Sequence, residues 1–100
     1  MPRSHPCDVL VETLLEVVCV AEALTSCGWY CLDTSRAGFG APDCLAVREG
    51  RLVPIEIKDG STPPSARRLT PAEREVHEAF AAAGVPIVVV TSVEEAMALQ

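Results

Sequence analysis

The sequence predicts an α/β fold with elements in the order α-β-β-β-α-β-α. Three observations carry this expectation. A long apolar stretch near the start ends at Gly28, a β-rich hairpin pattern surrounds Glu49-Gly50, and a capped helical segment from Thr70 leads into the apolar run Pro86–Thr91. With 100 residues, the chain is expected to form one domain spanning 1–100.

The first helix is expected from about Val9 to Ser26, capped by Asp8 or Ser4 and stopped by Gly28. It is apolar nearly all round, interrupted only by Glu12, Glu16 and Glu22, so cover on more than one side is expected, with a second copy of the chain supplying part of it. Trp29–Asp33 reads as a short strand. The next segment, 34–42, contains Gly38, Gly40 and Pro42 and reads as a loop. Asp43–Arg48 and Arg51–Lys58 form a hairpin around Glu49-Gly50. Asp59–Leu69 is a polar loop. Thr70-Pro71-Ala72-Glu73 is a capping box with proline at the first helical position, opening a helix to about Ala83 that stops at Gly84. Its expected apolar stripe is Ala72, Val76, Phe80 and Ala83. Pro86–Thr91 is expected to be buried on both faces, and Ser92-Val93-Glu94-Glu95 opens a last short helix.

Hydrophobic residues make up 49% and charged residues 22%, which excludes disorder by composition. The net charge of −6 argues against a general nucleic-acid coating protein and against docking on an anionic membrane. The charge is uneven: residues 1–35 and 75–100 each sum to −4, and residues 36–74 to +2. A polyanionic partner would meet the middle of the chain. The run Val9–Leu24 contains three glutamates and is shorter than the roughly 20 residues needed to span a bilayer. Five cysteines, Cys7, Cys19, Cys27, Cys31 and Cys44, cannot all pair, and no CxxC occurs. Reduced, mostly buried thiols are expected, in a cytoplasmic, reducing compartment.

With Glu49 and Gly50 as turn residues, Arg48 pairs with Arg51, and the sixth pair sets Asp43 opposite Glu56. One hairpin face is then Cys44, Ala46, Val53, Ile55 and Ile57, all core. The other is Leu45, Val47, Leu52 and Pro54, expected as core near the turn, followed by Asp43, Glu56 and Lys58. Like charges directly opposite each other destabilise a sheet. Lys58 supplies one compensating charge, and a hard divalent cation would supply the rest.

The segments Gly38-Phe39-Gly40-Ala41-Pro42-Asp43 and Ile55-Glu56-Ile57-Lys58-Asp59-Gly60 resemble the PD-(D/E)XK nuclease superfamily, and within it the small stand-alone VRR-NUC type of phages and bacteria. The segment from Pro63 to Pro71 and the ending around Val88–Ala96 are similar to that group as well. The resemblance runs from about Gly28 to the C-terminus. It implies a restriction-endonuclease-like αβββαβ core with a four-stranded mixed sheet flanked by helices. It also implies a metal-dependent DNA endonuclease acting on branched DNA such as a Holliday junction, as a homodimer through the first helix, with Mg²⁺ as cofactor and Mn²⁺ as substitute. Asp43, Glu56 and the main-chain carbonyl of Ile57 would hold the metal, and Lys58 would assist catalysis. Relatives often place an acidic residue of the first helix near the site, for which Glu16 and Glu12 are the candidates. Relatives often carry glutamine where this chain has Glu73, a candidate accessory residue.

Arg36, Arg67 and Arg68 on the flanking loops are candidate phosphate contacts, and Gly38 and Gly40 would let a phosphate approach the backbone. Phe39 is expected to pack under its loop. Trp29 and Tyr30 are expected in the core or an interface. His77 is expected as a partly exposed helix residue rather than a general base. The alternative to an enzyme is a catalytically inactive nucleic-acid-binding or protein-interaction module of the same fold.

Overall fold

A computed structural model covers residues 13–60, 63, 65 and 68–99, with side chains from residue 17 onward. Ser4, His5, Cys7, Asp8, Glu12 and Arg67 lie outside the described residues, as does the side chain of Glu16. The elements are α1 (Thr13–Ser26), β1 (Tyr30–Asp33), β2 (Cys44–Arg48), β3 (Arg51–Ile57), α2 (Pro71–Ala82), β4 (Val88–Val90) and α3 (Val93–Met97). Their order is the expected one.

The four strands form one mixed sheet in the order β1-β2-β3-β4. The first three are antiparallel, and β4 lies parallel to β3 after the crossover through α2. The hairpin register is the expected one, from Arg48↔Arg51 to Cys44↔Ile55. Glu49 and Gly50 both adopt left-handed backbone, with φ of 51° and 79°. Two such residues in sequence match the right-handed strand twist, which is why a two-residue loop sets this register.

The core lies on one sheet face. Cys44, Ala46, Val53, Ile55 and Ile57 are buried there, joined by Val17, Val20 and Leu24 of α1, by Val90 of β4 and by Ala96 of α3. Trp29 is buried beneath Arg48, whose guanidinium carbon stands 4.6 Å from the ring centroid. Tyr30, one residue on, is exposed at the sheet edge.

The second face departs from expectation. Val47 and Leu52, expected as core near the turn, are exposed, and only Pro54 is fully buried. No described element covers the turn end; α2 lies over the opposite end, beside Glu56 and Lys58. The α2 stripe is also shifted. Its half-buried residues are Glu73, Val76, His77 and Phe80, an i, i+3, i+4, i+7 line, whereas Ala72 and Ala83 face solvent. Apolarity alone placed the stripe one position off, because this inner face is half polar. The last strand is shorter than Pro86–Thr91 and buried on one face only: Val90 is buried and Val89 exposed, as suits an edge strand. A further correction concerns the thiols. Cys27, Cys31 and Cys44 are free, but Cys19 is disulfide-bonded, so the cysteines do not uniformly indicate a reducing compartment. Burial pushes the Cys44 thiol up to about 12, which makes it a packing group. Among the described residues no helix is long and apolar enough to cross a membrane.

The N-terminus of α2 is built as its sequence dictates. Thr70 Oγ1 accepts from the Glu73 N–H at 3.2 Å, the Glu73 carboxylate accepts from the Thr70 N–H at 2.9 Å, and Pro71 opens the helix. Gly40 braces this end. A Cβ at Gly40 would lie 2.4 Å from the Ala72 carbonyl oxygen and 2.8 Å from the Glu73 nitrogen, whereas one at Gly38 would meet nothing within 4 Å. Both glycines have left-handed backbone, so alanine at either costs about 1–2 kcal/mol. Gly40→Ala adds a backbone clash to that cost and should destabilise the fold clearly more than Gly38→Ala in urea unfolding. Equal losses would show that the Gly40–α2 contact is not tight.

Candidate active site

At the open end of the hairpin, the chain ends its main-chain ladder and substitutes a side chain. The Asp43 N–H donates to the Ile55 carbonyl at 2.9 Å, and Asp43 Oδ2 accepts from the Ile57 N–H at 2.7 Å. The carboxylate thus takes the place of a ladder partner, and this fixes its direction. The loop before it is closed at its base by Thr34, whose Oγ1 donates to the Pro42 carbonyl at 2.6 Å and whose N–H donates to the Asp43 carbonyl at 2.9 Å.

Glu56 stands across from Asp43, only 3% exposed, with the two carboxyl groups in hydrogen-bond contact. Burial pushes Glu56 up to about 9. The Asp43 charge and hydrogen bond and the Glu73 charge add to this, and Lys58 offsets part of it. Near neutral pH the pair therefore holds a proton between two acids. Lys58 extends from β3 on the same face. Its Nζ is 3.9 Å from Glu56 Oε2 and donates to Glu73 Oε1 at 2.8 Å. Burial alone would raise Glu73, but hydrogen bonds from Lys58 and the Thr70 N–H hold its carboxyl below the ordinary value. The helix cap and the lysine therefore share one carboxylate oxygen.

His77 is the half-buried helix residue expected, and it lies against this cluster. Its side chain is 13% exposed, and its Nε2 lies 3.8 Å from Glu56 Oε1. Burial holds its pKa below the ordinary histidine value, with the Glu73 charge opposing. A signal for this was present in the sequence: Glu73 and His77 are four apart, so a site that includes one includes the other's helix face.

The structure thus brings Asp43, Glu56, Lys58 and Glu73 together. It does not bring in Arg36 or Arg68, the described arginines of the expected set. Arg36 and Arg68 lie on exposed loops, and Arg36 acts electrostatically on Asp33. Gly38 is open to approach. Gly40 is not, because α2 fills the space beside it. Phe39 is 95% exposed with a φ of 57°, which corrects the expectation that it packs under its loop.

The donor set suits a hard divalent ion. Two carboxyl groups meet, and Glu56 Oε1 is buried with no hydrogen-bond partner. Lys58, the nearby cation, is already engaged by Glu73. Among the described residues no group of three or more His, Cys, Asp and Glu side chains converges on a metal position. Among the described residues, the donors for such an ion are two carboxylates and main-chain oxygen, with water in the remaining positions, as suits Mg²⁺.

A solved structure described as "VRR_NUC domain" matches this chain with a TM-score of 0.59 and 29% identity, over 77% of this chain and 81% of that one. No family model matches the chain, and no curated protein does. The protein has a VRR-NUC-type nuclease fold: a four-stranded mixed sheet flanked by helices, of the restriction-endonuclease-like kind.

The raised Glu56 sets the sign of a pH dependence. The unfolded chain releases this proton near the ordinary value of 4.5, and the folded chain keeps it to about 9. The stabilisation is therefore complete at low pH and is lost as pH rises across that window. Urea unfolding of the metal-free protein at about pH 5, 7 and 9 should show falling stability, and Glu56→Gln should flatten the trend. A wild-type profile as flat as that of the variant would contradict the buried carboxyl pair.

Proposed function

We propose that this chain is a divalent-metal-dependent endonuclease that hydrolyses phosphodiester bonds in DNA. Branched DNA such as a four-way junction is its preferred substrate, and it acts as a homodimer in the cytoplasm. The observation that carries the reading is the meeting of the Asp43 and Glu56 carboxyls beside Lys58 within a VRR-NUC-type fold.

Asp43, Glu56 and the main-chain carbonyl of Ile57 would hold the ion, Mg²⁺ with Mn²⁺ as substitute, and the first-helix acid Glu16 or Glu12 would complete the set. When bound, the ion supplies Lewis-acid stabilisation of phosphate charge and a lowered pKa for bound water. Lys58 is held by Glu73 at one end of the carboxylate pair, where its ammonium faces the charge that builds on a phosphate. Because Glu73 is anchored by the helix cap, the lysine is positioned before substrate arrives. Arg36 and Arg68, exposed on the flanking loops, and Arg67 beside Arg68 would contact the DNA backbone, with Gly38 giving a phosphate access to the main chain. The exposure of Phe39 supports a stacking contact with a base near the cut.

The dimer reading rests on α1. Val18 is 40% exposed there, and a groove of about 590 Å³ runs between α1 and β1, lined by Val17, Val18, Ala21 and Cys31 together with Glu22, Thr25, Ser26 and Asp33. A two-fold pair of small sites would cut paired strands symmetrically.

The test is a cleavage gel with duplex, single strand, flap and four-way junction, with and without Mg²⁺ or Mn²⁺. Wild type should cut the branched substrates only with metal, and Asp43→Ala and Lys58→Ala should each lower the rate at least about 100-fold. DNA binding with no cleavage under any metal would leave a non-catalytic binding module of the same fold.

A further inference from the structure

β1 is an edge of the sheet, and no described strand lies beyond it. The hairpin turn fixes the hydrogen-bond phase up to that edge. Arg48 and Arg51 flank a two-residue loop and form a hydrogen-bonded pair, so strand alternation sends the main-chain groups of Val47 and Leu45 toward β1. Their partners there are Tyr30 and Leu32, and the Thr34 N–H donating to the Asp43 carbonyl at 2.9 Å continues the series. The main-chain N–H and C=O groups of Cys31 and Asp33 therefore point away from the sheet, and no described main-chain group answers them. The Trp29 N–H, on the same side, donates to the Leu24 carbonyl at 3.0 Å, so the open stretch is centred on Cys31. Such an edge is a template for another strand.

This strand is complementary to itself. In an antiparallel pairing centred on Cys31, its N–H and C=O meet those of a second Cys31. Asp33 comes toward the Trp29 end of the second strand, where Arg48 and Arg51 stand 4.6 and 5.9 Å over the ring. An acid at one end of the strand thus meets two cations at the other. On the outer face Tyr30, 69% exposed, comes opposite Leu32, 49% exposed, and such cross-strand pairs are stabilising. The outer-face residues of the three antiparallel strands on the turn side of Asp43 are Tyr30, Leu32, Leu45, Val47, Leu52 and Pro54. None is charged, so this surface suits an apolar protein partner and not a phosphate backbone. A standard interface takes about 800 Å² from each partner, more than one short strand provides. Val18 of α1 and the groove beside β1 adjoin the same edge and supply further area.

We propose that β1 pairs antiparallel with β1 of a second copy of this chain, across a two-fold axis at Cys31, and joins two four-stranded sheets into one of eight strands. This pairing rests on the homodimer reading and names the edge that forms its interface. The axis stands perpendicular to the sheet, so both outer faces lie on one side. The two Asp43–Glu56 pairs then face the same side, roughly 25–30 Å apart by strand spacing and rise, where one branched DNA can meet both.

Two measurements test this. Oxidation of the wild-type protein by air with copper phenanthroline should give a covalent dimer in which mass spectrometry finds Cys31 joined to Cys31. A hydrogen-bonded antiparallel pair sets its Cα atoms about 5.5 Å apart, within disulfide reach. Cys31→Ser should abolish that product. In sedimentation equilibrium, Tyr30→Lys combined with Leu32→Lys should raise the dimer Kd at least about 100-fold, because it sets like charges opposite each other across the axis. Both side chains are exposed in the single chain, so its far-UV circular dichroism should stay that of wild type. If that spectrum changes, the Cys31 crosslink decides. A charged variant that dimerises as wild type does, or an oxidised dimer joined only through other cysteines, overturns the strand pairing and leaves a dimer through another face. A wild-type protein that stays monomeric at about 100 µM overturns the homodimer reading as well.

Discussion

Asp43 ends the β2–β3 ladder by giving its carboxylate to the Ile57 N–H, and the site depends on that bond. It closes the sheet at this end without a further main-chain partner. It also aims one acid at another, because the residue between Ile55 and Ile57 on the same strand is Glu56, turned to the opposite face from the core. Two carboxyls in a buried place cannot both stay charged without compensation. The cluster around them reads as a response to that: a retained proton, a lysine on the same strand face, and a histidine and a glutamate from the helix across.

The helix owes its position to small contacts. α2 buries no residue fully and meets the sheet through a half-polar line. Gly40 under its first turn, the Thr70–Glu73 capping box and the Lys58–Glu73 pair hold it where His77 reaches Glu56. Glu73 links these devices, since the oxygen that caps the helix also receives the lysine. Such a pair is partly shielded from solvent, so it orients Lys58 more firmly than an exposed ion pair would.

The opposite face carries the stability. α1 and α3 cover the apolar side of the hairpin, with Leu24, Cys44, Ala46 and Ile55 fully buried. The acidic cluster and the core thus occupy the two faces of one strand, and the alternation of β3 separates them. No described element covers the turn end of the outer face, where Val47, Leu52 and Tyr30 are exposed.

Local and pairwise physics was legible in the sequence. The element order, the Glu49-Gly50 turn, the register that sets Asp43 against Glu56, the core face of the hairpin and the capping box all follow from neighbours or from strand alternation, whose consequences do not depend on distant residues. What the sequence could not decide was which side of α2 meets the sheet. A helix whose inner face includes Glu73 and His77 breaks the rule that the apolar side turns inward, so Ala72 and Ala83 looked like core and are not. The partial cover of β4 and of the turn end, the space beside Gly40 and the projection of Phe39 were likewise decided by how separate elements meet, because burial depends on neighbours that only the assembled fold supplies.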